Sequence, residues 1–566
     1  MSRKMMKVLA LAAVASMGLA ACGSSGSKTS TGTSGKTTGK PLVIESTPLS
    51  PFTDSFNPYS QSATGYAVNA TGLINEPLYI FNTLNPTQAP VPMLASGQPT
   101  WSNGGKTLTV PVRAGVKWND GKAFSASDVA FTFNLIKANP KLYTAGAPVV
   151  TSATASSPTS VTLNFAASQQ ANLFSIGQVP IVPAHVWQSA GDPATYADAS
   201  PVGTGPFMLD RFSPQGFTLK QNPNFWDKSQ LKVSSVDFPS YNTNVNLVQP
   251  IADGTIDWAG NDLPNLQQDY LSKSPQNHTY LSSPPYFANN NVVALVLNVT
   301  KPPLNDPAVR QAISLGIDRQ QLSVQGETSY EPPATSSGGL MLPTDNTYLT
   351  PSLANDLPPA GDAAKVTSVL KADGWTKTGG KWTKNGKQIT FSISDPVPYT
   401  DYYTDSQLIA HQLNAQGFNV TANGIGNPTT WAADYANGTF DSAIHWSNQG
   451  PNPYFFYDGW LDSSLTAPIG KPAAGDNGRF SSAAAQAALK QFAGTTDAAT
   501  QAQAITKLQQ IVSTQVPVAP LLYGAAWAEF STRNYTGWPT PSNPYMTPIP
   551  NQPYLEYTVL HLKPVS

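Results

Sequence analysis

The chain has 566 residues, 11% of them charged, a formal net charge of −1 and a single cysteine. Average soluble proteins carry about 25% charged residues; with no basic run, a nucleic-acid partner is excluded, and one thiol excludes an internal disulfide framework or a multi-cysteine metal site. The 51 prolines, 22 tyrosines and 12 tryptophans suit a surface for neutral or partly neutral ligands.

Arg3, Lys4 and Lys7 precede a short apolar run from Val8 to Ala20. That run falls short of the about 20 residues a spanning helix needs, and it fits the apolar region of a secretory signal. Leu19-Ala20-Ala21-Cys22-Gly23 then looks like a bacterial lipobox, so residues 1–22 read as a signal that ends where Cys22 is lipidated. Residues 23–40, almost wholly Gly, Ser, Thr and Lys, have nothing to bury and read as a flexible linker. No later segment has the length and apolarity of a transmembrane helix, which places the body outside the membrane and attached through lipid alone.

Roughly 525 residues follow, enough for two or three lobes. Short strands and capped helices alternate throughout, an α/β pattern. Leu108, Val110 and Val112 alternate with polar residues as in a half-buried strand, and Asp120-Gly121 supplies a turn. Ser127 or Asp128 is placed to cap a helix whose apolar face is Val129, Phe133 and Ile136. Asp306-Pro307 starts the clearest helix: aspartate accepts from free N–H groups, and proline needs no donor in the first turn. Its stripe is Val309, Ala312, Ile313, Gly316 and Ile317. Residues 362–373 repeat the scheme with Val366, Val369 and Leu370 before Gly374; Leu408, Ile409 and Leu413 make another helix before Gly417, and Ile505, Leu508, Ile511 and Val512 a late one. Pro517 to Tyr523 reads as extended, and no internal repeat is visible.

Several blocks in fixed order carry a family resemblance. They are Pro92-Met93-Leu94-Ala95, Trp101, Gly105-Lys106-Thr107-Leu108-Thr109, Arg113-Ala114-Gly115-Val116-Lys117-Trp118-Asn119-Asp120-Gly121 and Ser127-Asp128-Val129. Pro201-Val202-Gly203-Thr204-Gly205-Pro206-Phe207, Gln221-Asn222-Pro223-Asn224-Phe225-Trp226 and Leu297-Asn298 follow. Pro303-Leu304-Asn305-Asp306-Pro307-Ala308-Val309-Arg310-Gln311-Ala312-Ile313, Ile317-Asp318-Arg319 and Gly374-Trp375 complete the set. From about Leu42 to the C-terminus the chain resembles solute-binding protein family 5, the peptide/nickel-binding class of ABC importer receptors. The resemblance implies a two-lobed, type II periplasmic-binding-protein (Venus-flytrap) fold with an extra third domain. The first lobe would comprise residues 41–75, 201–285 and 516–566, the accessory domain 76–200 and the second lobe 286–515. It also implies a monomer that closes its cleft on a small oligomeric ligand and hands it to ABC permease subunits. The blocks themselves read as fold residues: Gly203-Thr204-Gly205-Pro206 sets a turn and no phosphate loop, and Arg310 anchors a helix.

For cargo, the informative stretch is residues 440–454. Peptide-binding relatives typically carry an acid three positions after the tryptophan, paired with the peptide's α-ammonium, because an unpaired buried charge is costly. Here Gln449 follows Trp446 at that spacing, and Asn452 stands where a second acid is common. Amides donate and accept, which suits hydroxyl groups. Residues 534–545 and 467–479 likewise resemble the oligosaccharide-binding branch. The candidate aromatic platforms are Trp446, Trp538, Trp258, Trp460 and Trp431, with Asn448, Gln449, Asn261 and Tyr454 as polar partners. The reading therefore favours an oligosaccharide, with an oligopeptide as the alternative.

Enzyme chemistry is not expected: the histidines at 185, 278, 411, 445 and 561 form no HExxH, and no G-x-S-x-G elbow exists. A nickel or haem receptor would have only His445 near the site. No cofactor or metal is expected.

Overall fold

Strand Ala288–Leu297 sits at the centre of the larger half of the body because both of its faces are apolar. Val292, Ala294 and Val296 enter one core, while Val293, Leu295 and Leu297 enter another. A strand covered on both sides reads as a continuous hydrophobic run. The computed structural model describes residues 39–565 except 87, 143, 145 and 264, with backbone alone at 244, 245 and 429. The expected signal, Cys22 and linker residues 23–38 lie outside the described residues; Gly39 already accepts a hydrogen bond from Ser234 (3.1 Å), so the expected linker end at residue 40 falls on the body.

Five strands form one sheet in the order Asn419–Ile425, Thr390–Pro396, Ser442–Trp446, Ala288–Leu297, Val518–Ala526. Helices Pro307–Gly316, Ala363–Ala372 and Thr400–Ala415 cover one face, and Tyr454–Leu461, Ala483–Ala493 and Ala498–Gln515 the other. The expected helices form where cap and stripe agree. Asp306 accepts from the Ala308 N–H at 2.9 Å and Asp362 from Lys365, and the Val309, Ala312 and Ile313 stripe is fully buried. The helix Ala126–Ala138 is a correction: Ser125, not Ser127 or Asp128, is the cap. Asp128 instead accepts from the Ser125 N–H (3.0 Å), completing a capping box.

Two buried arginines tie these layers together without acids. Arg310 donates to the Leu304, Gln515 and Val516 carbonyls, joining its helix to the end of Ala498–Gln515. Arg319 donates to the carbonyls of Pro520, Ser314 and Ile317. Burial lowers both guanidinium pKa values to about 10, so both stay charged at neutral pH.

A second sheet of seven strands runs Asn277–Thr279, Glu529–Ser531, Trp258–Ala259, Leu42–Glu45, Ser235–Pro239, Gly216–Gln221, Phe207–Ser213. A four-stranded sheet with helix Ala126–Ala138 makes the accessory domain around its own core. The family blocks converge where this domain meets the seven-stranded lobe. Arg113 lies 3.7 Å over the Trp226 ring, and Trp226 Nε1 donates to Glu76 (2.8 Å). The Gly205 N–H donates to the Ile74 carbonyl at 2.9 Å.

The chain passes between the two large sheets at residues 280–288 and again at 526–529. One expected boundary is corrected here. Val518–Ala526 pairs with Ala288–Leu297, so the last piece of the first lobe begins near residue 527 and not at 516. Phe287, Trp527, Tyr286 and Tyr330 pack edge-on at these crossings, with Phe287 and Trp527 centroids 4.8 Å apart. The Leu266 N–H of the first lobe donates to the Tyr330 hydroxyl of the second (3.1 Å).

A Cβ at Gly203 would run into the backbone carbonyl of Ile74, which no rotamer change can relieve. Gly203→Ala is therefore expected to cost about 3 kcal/mol, the upper end for overpacking. Chemical denaturation of the purified variant checks this; an unchanged midpoint would contradict it.

Candidate ligand-binding site

Strand Ser442–Trp446 ends at the rim of the second lobe, with Trp446 in register with Val293. Ile444 is buried in the core, and Trp446, on the same face at the strand's end, is 37% exposed. Behind it the rings continue as a stack: His445 lies 4.3 Å from Trp446, Tyr435 lies 4.4 Å from His445 at an interplanar angle of 3°, and Trp431 follows at 5.7 Å. Tyr402 flanks Trp446 at 6.2 Å. Burial among these rings pushes the His445 pKa down to about 4, and its Nδ1 donates to the Trp446 carbonyl (2.8 Å), so the imidazole is a neutral packing element.

The loop that follows has no carboxylate. Ser447 is buried and locked, its N–H donating to the Val292 carbonyl (2.9 Å) while its hydroxyl accepts from the Val292 N–H (3.1 Å). Asn448 is exposed beside Gly459, Gln449 is half-buried, and among the described residues neither side-chain amide is engaged in a hydrogen bond. Asn452 is committed, its Oδ1 accepting from the Tyr454 N–H (3.1 Å) at the start of helix Tyr454–Leu461. An open indole face followed by two uncommitted amides can stack on an apolar ring face and exchange hydrogen bonds with neutral polar groups.

The structure brings Trp446, Asn448, Gln449 and Trp431 together, and it places the other five candidates elsewhere. Trp258 is fully buried in the first-lobe core, its Nε1 donating to the Pro548 carbonyl (2.9 Å), with Trp538 packed edge-on at 5.4 Å. Trp460 and Tyr454 are buried in the second lobe, Tyr454 stacked on Phe492 at 4.9 Å. These four rings offer no open face as platforms, which corrects the expectation. Trp431 is itself buried, and its Nε1 donates to the Ser394 carbonyl (2.8 Å), so it backs the stack. Asn261 is buried and committed to Glu45 through its side chain and to Glu529 through its N–H.

Sequence reasoning missed a group of buried acids near the crossings. Glu327, Glu331, Asp401 and Asp405 belong to the second lobe, and Asp262, Glu45 and Glu529 to the first. Burial raises the pKa values of Glu327, Glu331, Asp405 and Glu529 well above the usual carboxylate range, of Asp262 to about 6 and of Glu45 to about 7. The four-residue spacing of 327/331 and 401/405 was the only visible signal. Among the described residues, no group of three or more His, Cys, Asp or Glu side chains is placed to hold a metal ion.

Comparison with known proteins adds three findings. The family described as "Bacterial extracellular solute-binding proteins, family 5 Middle" matches residues 89–467, more than half of the chain. Two Thermotoga maritima structures of an oligopeptide ABC transporter periplasmic oligopeptide-binding protein are 24% identical. One, described as mannohexaose-bound, has a TM-score of 0.79 and covers 93% of this chain and 99% of that one; the other has a TM-score of 0.84 with 94% and 100% covered. Among curated relatives, the glutathione-binding protein GsiB of Salmonella typhimurium is 28% identical over 50% of this chain, and the nickel-binding periplasmic protein of Escherichia coli 26% identical over 54%. The chain spans about a third to a half of the length of the first curated relatives it matches.

The contrast between the tryptophans is measurable. Trp258→Ala empties a filled core and is expected to cost about 3–5 kcal/mol, whereas Trp446→Ala removes a ring with one face in water and should cost under about 1 kcal/mol. Denaturant melts of the two variants check this; comparable losses would show that the Trp446 ring is packed.

Proposed function

The chain belongs to the bacterial extracellular solute-binding proteins, family 5, and on that premise we propose that it is the receptor of an ABC importer that captures an oligosaccharide in its cleft. The receptor is held outside the cell by lipid on Cys22, and it closes its lobes on the ligand before passing it to the permease. Ligand that touches both lobes favours the closed form by its differential affinity for the two states. The observation that carries the choice of cargo is the exposed Trp446 face beside the uncommitted amides of Asn448 and Gln449, in a loop without a carboxylate. Sugar rings offer C–H faces to indole and hydroxyls to amides, and nothing in that loop would neutralise a ligand's charge. The fold shared with the mannohexaose-bound Thermotoga maritima protein is compatible with this cargo.

A second reading, an oligopeptide, is favoured by one observation: the buried carboxyls near the crossings would welcome an ammonium group. Thermal unfolding in the presence of manno- and cello-oligosaccharides, short peptides and nickel separates the readings. A ligand present at about 100 times its dissociation constant adds about 2.7 kcal/mol to stability. The expected result is stabilisation by a β-linked oligosaccharide, lost in Trp446→Ala. Stabilisation only by peptides with a free amino terminus would contradict the sugar assignment.

A further inference from the structure

Away from the crossings, the accessory domain touches the second lobe. Phe174, on the short helix Leu173–Gly177, packs against both the accessory-domain core and the second-lobe core. Its ring stands edge-on to Phe81 on one side and to Phe455 of helix Tyr454–Leu461 on the other, with centroids 5.2 Å apart in each pair. Ala171 packs on the same second-lobe core, and the Ser168 hydroxyl donates to the Ala493 carbonyl at the end of helix Ala483–Ala493 (3.0 Å). The segment is held in place from behind. The Gln169 N–H donates to the Gly105 carbonyl (2.9 Å), and a Cβ at Gly105, whose φ is +78°, would collide with the Ser168 side chain.

On the second lobe, this contact lands on the frame of the ligand loop. Phe455 fills the space that a Cβ at Gly450 would need, and Gly450 directly follows Gln449. The two landing points, Phe455 and Ala493, each adjoin one of the stacked rings of Tyr454 and Phe492, and the Tyr454 N–H donates to Asn452 in the loop itself (3.1 Å). The loop is thus tied to strand Ala288–Leu297 at Ser447, and at its far end it meets the accessory domain through Phe455.

The accessory domain goes with the first lobe, to which the Arg113 and Trp226 contact joins it. A rotation about the crossings that opens the cleft therefore parts Phe174 from Phe455. Parting exposes the apolar surface of Phe174 and Ala171 and gives up one aromatic pair and one hydrogen bond, small terms that are remade on closing. We propose that Phe174 is the clasp of the cleft: it holds the second lobe against the accessory domain before any ligand arrives, and it positions the ligand loop through Phe455. A closed form already favoured in the free protein spares the ligand part of the cost of closing, so Phe174 acts on capture without touching cargo. The proposal rests on the lobe closure invoked under the proposed function but not on the choice of cargo.

The test uses the full chain without ligand, carrying Cys22→Ser and spin labels at Lys106→Cys on the accessory domain and Lys490→Cys on the second lobe, both exposed positions. With Phe174 in place, short distances between the labels should dominate. Phe174→Ala should shift the distribution to longer distances, and Phe174→Leu, which keeps an apolar side chain at the contact, should retain most of the short ones. An unchanged distribution in Phe174→Ala would overturn the proposal, because a permanent interface stays shut without the ring. Long distances that already dominate with Phe174 present would overturn it too, as would equal lengthening in the alanine and leucine variants. If Phe174→Ala does not fold, Ala171→Glu puts a charge between the two surfaces and serves in its place: lengthening supports the clasp and an unchanged distance overturns it. Because no ligand is present and compaction on binding is a separate measurement, failure here leaves both the cargo and the closure of the lobes standing.

Discussion

Two crossings of a single chain govern the rest of the molecule. Ala288–Leu297 and Val518–Ala526 are neighbours in one sheet, and the ends that lead out of them enter the other sheet side by side. The lobes are thus joined by two short segments wrapped in Tyr286, Phe287, Tyr330 and Trp527. Such a joint permits rotation about one place while each lobe keeps its own core, the geometry of hinge closure. A residue far from the joint can move toward the opposite lobe, whereas one beside it changes mainly in hydration.

The distribution of charge follows the same division. In a chain with so few charged residues, the buried arginines Arg310 and Arg319 are spent on backbone carbonyls that hold helices to the sheet. They neutralise none of the acids at the joint. Among the described residues, Glu327, Glu331, Asp401 and Asp405 form no ion pair with a base there, and the rim loop bearing Trp446 carries no carboxylate. The joint and the rim therefore ask different things of a partner: protons or positive charge at the first, neutral polar groups and a flat apolar face at the second.

Much of this was legible in the sequence where two local signals agreed. The helix Pro307–Gly316 declared itself because Asp306, Pro307 and the Val309, Ala312, Ile313 stripe all point to one start and one face. The cap of Ala126–Ala138 was misplaced because Ser125, Ser127 and Asp128 are all competent acceptors within four residues, and only backbone geometry chooses among them. Pro517 to Tyr523 was recognisably extended, yet periodicity cannot tell which sheet a strand joins, so the boundary fell about ten residues early. The tryptophans show the sharpest limit. Trp258, Trp538 and Trp446 are alike as residue types, and burial alone separates the first two from the third. The buried acids near the crossings come from residues more than 450 positions apart, from Glu45 to Glu529, and no local pattern could have brought them to notice.

The account stands on the lobes closing over a ligand held at the Trp446 rim. Small-angle X-ray scattering of the purified chain at fixed pH, with and without saturating mannohexaose, addresses that directly. The account predicts a smaller radius of gyration with the sugar bound. Bound sugar with an unchanged radius of gyration would contradict it.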